Sequence, residues 1–454
     1  MNIKFLKNKF ILGPIIFIVF IVIILILFIG KISSHLYYPN YATGNITYPT
    51  SWNELGLSAA HNTVYGNGDL KTNKILKGYK QIFTGVSVVS GTAYFGTQNG
   101  VAAINVNTGK QVWFFKSNNE VMTQIIINHN VAYFGSGNRN FPKNTAQWSN
   151  AGGFIRGTGQ SSIYAVNAKT GKLVWKINTK GENMPTFVYN KGTVYLANGN
   201  DYFYAVNAKT GKIEWKINIK SFVSMSSPAI YKNLIVFGGD MPHNIYAINI
   251  NTHKIQWKKN IPYAWGGISD GSVAISDRIV YAVALEHNKK VYSQEIYALN
   301  IKNGKTRWTY FEGIGSLPKN FAVGIPTIYK NYLYVGSPVT NTIYKLNKKT
   351  GELSWKLKVY SAIRSAPTIV NNPVPTLYVG DMQGNMYAIN AKSAFVVGIY
   401  HLKGAIGPFT TTIIDNNLMI GTHNSGIFYF IPIGNLYKHT FSVVLFHLWS
   451  IFNS

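Results

Sequence analysis

One short phrase recurs through most of this chain and constrains its fold more than any other feature. The phrase is an apolar residue, Tyr-Ala, a second apolar residue and Asn, then a polar turn such as Thr-Gly-Lys, and a Trp after two more residues. Successive copies lie about 40 to 60 residues apart, which is the repeat length of β-propeller blades. The copies that keep their tryptophan end at Trp113, Trp175, Trp215, Trp257, Trp308 and Trp355.

Each copy predicts a β-hairpin, because apolar and polar residues alternate on both sides of a Gly-containing turn. A second hairpin precedes each copy, as at Ala229–Ile230 and residues 234–239 on either side of a Lys232-Asn233 turn. Two hairpins make one four-stranded antiparallel sheet. We therefore predict an all-β fold over residues 51–435, an eight-bladed β-propeller with seven blades as the alternative.

The ends of the repeat array predict how the ring closes. A seventh copy, at Tyr387–Asn390, has lost its tryptophan, and an eighth, at Ile427–Phe430, has lost the turn. Because closure removes the exposed edges of a sheet, we expect the last strands to pair with the region around Trp52. We expect the recurring tryptophans to pack between blades rather than to bind a ligand.

The charge balance is unusual. Lys and Arg number 43, Asp and Glu only 15, for a formal net charge of +28. The lysines stand singly in turns and no basic helix or stacking module is present, so we predict no nucleic-acid partner. Acid denaturation comes mostly from protonation of paired carboxylates, and this chain has few. Exposure to acid is the favoured interpretation, with a small anionic substrate as a compatible addition. A biased genome could explain the many lysines but not the scarcity of carboxylates.

The chain contains no cysteine, which excludes disulfides, thiolate metal sites and cysteine nucleophiles. Residues 10–30 are long and apolar enough to span a bilayer and follow a basic tail at residues 1–9. The positive-inside rule places that tail in the cytoplasm and the propeller outside. A cleaved signal peptide is the alternative. Residues 31–50 are predicted to be a spacer.

The apolar C-terminal segment, residues 436–454, is too short to span a membrane. Three interpretations stay open for it: a last strand, a segment lying on the surface, or an oligomer contact such as a homodimer interface.

Internal alignment of the repeats predicts a site. The starts of the innermost strands of a propeller surround the mouth of its central channel, so equivalent positions in each repeat should meet there. We expect three ionisable residues at that mouth: Glu182, Asp270 and Arg364. The seven aligned positions are Met122, Glu182, Met225, Asp270, Val323, Arg364 and Phe409.

Asp270 stands apart because glycines surround it where the sister repeats have Ser-Pro or Ala-Pro. A carboxyl desolvated at such a mouth has a raised pKa and can act as a general acid. The alternative is that Asp270 only caps local amides. The long insertion at Gly135–Gly159 carries Arg139 and Arg156, which are candidates for binding an anionic substrate or are solvated loop arginines.

The repeated Tyr-Ala-x-Asn and Thr-Gly-x-x-x-Trp phrase resembles that of the quinoprotein-like, or PQQ-type, propeller superfamily. Within it, the chain most resembles the tetrathionate hydrolases of acidophilic sulfur oxidisers, and its Lys-, Ile-, Asn- and Tyr-rich composition would suit an archaeal member. The resemblance implies an extracytoplasmic enzyme that works without the quinone and splits tetrathionate into thiosulfate, sulfate and sulfur. It implies an active-site aspartate; its placement at Asp270, with Glu182 as a second catalytic carboxyl and Arg364, Arg139 and Arg156 binding substrate, comes from the repeat alignment.

Two other functions stay open. A PQQ-dependent dehydrogenase of this superfamily would need calcium held by Glu, Asn and Asp, and the chain has few acidic residues. A non-enzymatic scaffold, similar to the outer-membrane assembly lipoprotein, would need a Cys lipidation site, which is absent. We therefore expect neither PQQ nor calcium.

Overall fold

The computed structural model contains eight β-sheets, each with four strands in antiparallel order. In the part that it describes, the innermost strands of neighbouring sheets contact each other around the ring. The protein is therefore an eight-bladed β-propeller, as predicted. The described residues are 64–65, 74–79, 81–82, 84–140, 155–266, 268, 270–288, 291–318, 322–371, 374–414, 417–433, 436 and 440–453.

The first four blades follow one another along the chain, each from its innermost to its outermost strand. Blade 1 consists of Ser87–Val89, Thr92–Thr97, Gly100–Asn105 and Gln111–Lys116. Blade 2 consists of Ile126–Asn128, Val131–Ser136, Ser161–Asn167 and Leu173–Thr179. Blade 3 consists of Val188–Asn190, Thr193–Ala197, Tyr202–Asn207 and Ile213–Asn218. Blade 4 consists of Ala229–Tyr231, Leu234–Gly238, Asn244–Asn249 and Lys254–Asn260.

Blade 6 follows the same plan, blades 5 and 7 each have a fifth strand, and blade 8 takes its outermost strand from the start of the array. Blade 5 consists of Ala274–Ser276, Ile279–Asn288, Val291–Asn300 and Thr306–Gly315, with Ala264–Gly266 paired to its second strand. Blade 6 consists of Thr327–Tyr329, Tyr332–Ser337, Thr342–Asn347 and Leu353–Lys358. Blade 7 consists of Thr368–Asn371, Pro375–Gly380, Asn385–Asn390 and Val396–His401, and Val64–Tyr65 runs parallel to its first strand. Blade 8 consists of Thr412–Ile414, Asn417–Gly421, Phe428–Pro432 and the early strand Lys74–Leu76.

Ring closure uses a strand that precedes blade 1 in the chain, Lys74–Leu76, whereas the prediction named the region around Trp52. Lys74–Leu76 pairs antiparallel with Phe428–Pro432 and completes blade 8. On the inner side, the Thr412 hydroxyl donates to the Val86 carbonyl at 2.6 Å and joins blade 8 to blade 1. The Trp52 region lies outside the described residues.

The recurring tryptophans join neighbouring blades, which confirms their predicted role. The Trp113 indole N–H donates to the Ala168 carbonyl of the next blade at 2.9 Å. The same contact recurs in the pairs Trp175–Ala208, Trp257–Ile301, Trp308–Lys348 and Trp355–Ala391.

The glycine of each turn is part of the same contact. Gly171 has a φ of +70°, and a Cβ atom there would lie 2.8 Å from the Trp113 ring. The turn therefore needs glycine both for its backbone conformation and for space beneath the indole. In blade 4 the residue at this position is His253, which has a φ of 53° and stacks on Trp215 at 4.8 Å.

The missing tryptophan of blade 7 and the missing turn of blade 8 belong to one junction. Gly398 stands where the tryptophan of blade 7 would be, and a Cβ atom there would lie 2.7 Å from the Leu436 carbonyl oxygen. Leu436 is fully buried. The chain leaving blade 8 thus packs where the indole would otherwise be.

The C-terminal segment forms an α-helix, Thr440–Asn453, against the outer strand of blade 7. Phe446 is fully buried and contacts the Tyr360 ring edge-on at 5.2 Å. The His447 ring lies 3.1 Å from the Val396 carbonyl oxygen. Of the three interpretations, a last strand is wrong; a segment lying on the surface matches the helix, and oligomer contact is not tested.

Within the described part of the chain, no helix has the length and apolar character needed to cross a bilayer. The predicted anchor at residues 10–30 lies outside the described residues.

One carboxyl is buried between blades 5 and 6, away from the channel. Glu312 is only 7% exposed and lies beside Ser337 and Gln294. Burial raises its pKa to about 8, so the side chain is neutral in acid.

Candidate functional site

A cavity lies at the mouth of the central channel, among the segments that precede the innermost strands. Residues from blades 2, 3, 4, 5, 6 and 8 line it. About 320 Å³ lies between its atoms, but this includes open solvent, and only about 20 Å³ is wide enough for a water-sized sphere. Five of the seven aligned positions line it: Met122, Met225, Asp270, Val323 and Phe409. The repeat alignment therefore located the mouth correctly for these five.

Hydrogen bonds between successive blades hold the wall of this cavity. The Gln124 amide donates to the Thr186 hydroxyl at 2.9 Å, and the Thr186 amide donates to the Ser227 hydroxyl at 2.8 Å. The Ser227 amide in turn donates to the Ser272 hydroxyl at 3.0 Å. Each bond joins a main-chain donor of one blade to a side chain of the next. The last of these bonds fixes Ser272 and, with it, the segment that carries Asp270 two residues earlier.

Glu182 does not line the cavity, in contrast to the prediction from the alignment. Its carboxylate is fully buried and lies 2.8 Å from the Arg156 guanidinium. Glycines enclose it, since a Cβ atom at Gly199 would lie 2.8 Å from the Glu182 Cγ and one at Gly137 2.6 Å from its Cα. The described ends of the insertion, residues 135–140 and 155–159, contact Glu182 here. Residues 141–154 lie outside the described residues.

The ion pair of Arg156 and Glu182 is held by the backbone as well as by the side chains. The Glu182 amide donates to the Arg156 carbonyl at 2.7 Å, and the Arg156 amide donates to the Gly199 carbonyl at 2.8 Å. The Arg156 guanidinium also donates to the Ser224 hydroxyl. Arg156 is thereby fixed at the edge of the mouth, with its side chain 15% exposed.

Burial raises the pKa of Glu182 to about 8. The positive charge of Arg156 lowers this pKa, and the negative charge of Asp270 raises it, but burial is the largest effect. Below that pH the carboxyl is mostly neutral and still hydrogen-bonds Arg156. The neutral Glu182 carboxyl then no longer cancels the charge of Arg156.

Asp270 is partly buried, and burial raises its pKa above the usual range. Arg156 and Arg364 oppose this rise through their positive charge, as does a hydrogen bond from Ser224, whereas the Asp240 carboxylate adds to it. A carboxyl with a raised pKa keeps its proton in acid and can donate it to a leaving group.

Arg364, which the alignment also predicted at the mouth, does not line the cavity either, although its charge acts on Asp270. It is 6% exposed, and within the described part of the chain its Nε–H has no hydrogen-bond partner. Burial lowers its pKa to about 10, so it is cationic at any acid or neutral pH. A buried N–H group without an acceptor costs free energy. An anion bound to Arg364 would supply that acceptor and would pair with the positive charge, so this guanidinium favours anion binding.

Arg139 is exposed at the rim and His423 is buried below it. Burial lowers the pKa of His423, and the positive charges of Arg364 and Arg139 lower it further, to about 4 in total. His423 is therefore a neutral imidazole next to two arginines. The sequence analysis missed this residue because it lies in a turn between strands and not at an aligned strand start. It also missed Ser224.

In the described part of the chain, no three His, Asp or Glu side chains come close enough to hold a metal ion. The calcium of a quinoprotein needs Glu, Asn and Asp ligands on one cation. Here the guanidinium of Arg156 already lies against Glu182 and carries the positive charge near Asp270. The residues of the mouth do not fit a calcium ion.

These features can be compared with known proteins. A family model described as outer membrane protein assembly factor BamB matches residues 159–313 and 292–397, more than half of the chain. The chain belongs to the PQQ-type β-propeller family. Within this family it is 32% identical to the tetrathionate hydrolase of Acidithiobacillus ferrooxidans over 352 residues, which cover 74% of this chain and 70% of that protein.

Solved structures of PQQ-type propellers share the fold at low sequence identity. BamB from Moraxella catarrhalis superposes with a TM-score of 0.56 at 16% identity, covering 80% of this chain and 99% of BamB. A europium-containing methanol dehydrogenase superposes with a TM-score of 0.59 at 12% identity, covering 82% of this chain and 89% of the dehydrogenase. One of these is an assembly factor and the other a dehydrogenase, so the shared fold does not decide the activity.

Proposed function

We propose that the protein is an acid-stable, extracytoplasmic hydrolase that splits tetrathionate into thiosulfate, sulfate and sulfur. The observation that carries the proposal is Asp270, a carboxyl of raised pKa that lines a cavity next to the buried cation Arg364. The 32% identity to a tetrathionate hydrolase supports the choice of substrate.

The reaction can be written with its atoms balanced. Tetrathionate is a chain of two central sulfur atoms between two sulfonates. The oxygen of water bonds to one central sulfur while the bond between the two central atoms breaks, and thiosulfate leaves with the electron pair. Protonated Asp270 gives its proton to the departing thiosulfate, and the attacking water returns a proton to the Asp270 carboxylate. The remaining fragment, HO–S–SO3⁻, separates into elemental sulfur and hydrogen sulfate.

The arginines are assigned to the two sulfonates. The positive charges of Arg156 and Arg364 both act on Asp270, and the charge of Arg139 acts on Arg364. Fixed cations stabilise charge that develops on a leaving group better than water does, because they need no reorganisation. Glu182, predicted as a second catalytic carboxyl, is instead proposed to position Arg156.

The proposal includes no quinone and no calcium. We expect the purified protein to consume tetrathionate at acid pH with no added cofactor, and EDTA to leave the rate unchanged, because Arg156 supplies the cation. Thiosulfate and sulfate formed are measured by ion chromatography. No turnover of tetrathionate, with or without PQQ and calcium, would favour a scaffold; alcohol oxidation with added PQQ and calcium would favour a dehydrogenase.

Arg364→Gln is expected to raise KM for tetrathionate about tenfold or more, with a smaller effect on kcat. The substitution removes a charge-assisted hydrogen bond to the substrate, worth about 1.5–3 kcal/mol. Steady-state kinetics at acid pH measure the effect. Arg307→Gln, at an exposed arginine on the outer strand of blade 5, is the matched control. An unchanged KM in folded Arg364→Gln protein would contradict the assignment.

The location outside the cytoplasm is part of the proposal. It rests on the apolar segment at residues 10–30, the basic tail before it and the scarcity of carboxylates. Protease treatment of intact cells should degrade the propeller, and release of the protein into the medium would indicate a cleaved signal.

A further inference from the structure

Three methionine side chains line the cavity beside Asp270. Met122, Met184 and Met225 precede the first strands of blades 2, 3 and 4, and they pack together. The whole chain has only 8 methionines. Three of them lie on one small wall. Met122 and Met225 stand at the aligned positions of blades 2 and 4, and Met184 stands two residues after Glu182, the aligned residue of blade 3. Blades 5 to 8 have other residues at the aligned position, so the blade architecture does not itself require methionine there.

The rest of the wall is apolar or carries hydroxyl groups. Asp270 is the single ionisable residue among the residues lining the cavity, whereas Arg156 and Arg364 lie outside that lining. The cavity therefore suits a molecule with a soft, uncharged part inside and charged ends outside. The remaining lining residues are Thr186, Ser227, Ser272, Val323, Ile325, Pro408 and Phe409.

We infer that Met122, Met184 and Met225 form the subsite for the uncharged central sulfur atoms of a polythionate and determine which chain length the enzyme prefers. The inference rests on the proposed function and adds a specificity determinant to it. Thioethers are soft and polarisable, and they make favourable dispersion contacts with other polarisable groups. Divalent sulfur within a polythionate chain is such a group, whereas the sulfonate ends require the arginines.

The inference predicts that the size of the methionine wall sets the preference among tetrathionate, pentathionate and hexathionate, which all have a bond between central sulfur atoms. Met184→Phe fills the cavity and should shift the ratio of kcat/KM for tetrathionate over pentathionate upward by about tenfold. Met225→Ala enlarges it and should shift the same ratio downward. An apolar pocket separates substrates that differ by one small group by factors of about this size. The three substrates are compared at one acid pH with ion chromatography.

Met225→Leu keeps the volume of the side chain and removes its sulfur atom. It tests the subsite even if Met184→Phe and Met225→Ala do not fold. We expect it to raise KM for pentathionate more than KM for tetrathionate. Met386→Leu, at a fully buried methionine of blade 7, is the matched control and should leave both constants unchanged.

The outcomes separate the two proposals. Wild-type protein that hydrolyses polythionates, with folded variants whose chain-length ratio equals that of the wild type, would overturn the methionine subsite alone. Wild-type protein with no activity on any of the three substrates would overturn the proposed function and the subsite with it. Opposite shifts in the ratio for Met184→Phe and Met225→Ala are the expected result. Melting temperatures of all variants identify any that do not fold.

Discussion

Asp270→Asn is expected to lower kcat for tetrathionate by about 10²–10⁴-fold, the usual contribution of a positioned general acid. Asparagine keeps the shape of the side chain and its hydrogen bond with Ser224 but has no proton to give to the departing thiosulfate. KM should change little, because the arginines bind the sulfonates. Product formation under saturating substrate at acid pH measures the effect.

The pH profile distinguishes catalysis from a structural role. In the wild type, kcat should fall as pH rises through the raised pKa of Asp270, because the protonated form is the active one. The residual activity of Asp270→Asn should not decrease over the same pH range. Asp277→Asn, at an exposed turn aspartate, is the matched control. Full activity in folded Asp270→Asn protein would remove Asp270 from the mechanism.

The second large effect concerns stability. We expect the free energy of unfolding to decrease by about 2–3 kcal/mol between about pH 6.5 and pH 8, using about 1.4 kcal/mol per pKa unit. Glu182 and Glu312 have pKa values near 8 in the folded protein and near 4.5 when unfolded. In this window the folded state binds more protons than the unfolded state, so stability falls as pH rises. Folded His423 is already neutral in this window, whereas the unfolded residue, with its ordinary pKa of 6.5, loses its remaining proton. This difference offsets the decrease by only about 0.4 kcal/mol.

Urea denaturation at several pH values measures this dependence. Glu312→Gln removes one of the two groups far from the cavity and should remove about half of the decrease, with activity unchanged. A free energy of unfolding that is constant or increases from pH 6.5 to pH 8 would show that these carboxyls are not neutral in the folded protein. The same titration would then weaken the interpretation of the charge on Arg156.

The repeat made most of the fold predictable. Because each blade carries the same phrase, equivalent positions could be found by counting from the turns, and this placed Asp270 in the wall of the mouth. The same counting failed for Glu182, because the insertion of blade 2 brings Arg156 against it. That contact depends on how the inserted loop folds, which no periodicity encodes.

Other features had no pattern to reveal them. His423 lies in a turn between strands, and a single histidine there has no signature in the sequence. The C-terminal segment is too short and too uniformly apolar for its pattern to distinguish a strand from a helix. Its helical form follows from packing on Tyr360 and on blade 7, which is a tertiary effect.

The tryptophan of one blade and the turn of the next blade depend on each other for stability. An indole without its partner carbonyl leaves a buried N–H unpaired, at a cost of about 1–3 kcal/mol. A turn without its indole leaves a gap over the glycine. Losing only one half therefore carries a cost in stability. At the boundary between blades 7 and 8 both halves are absent, and Leu436 fills the space over Gly398 in place of the indole.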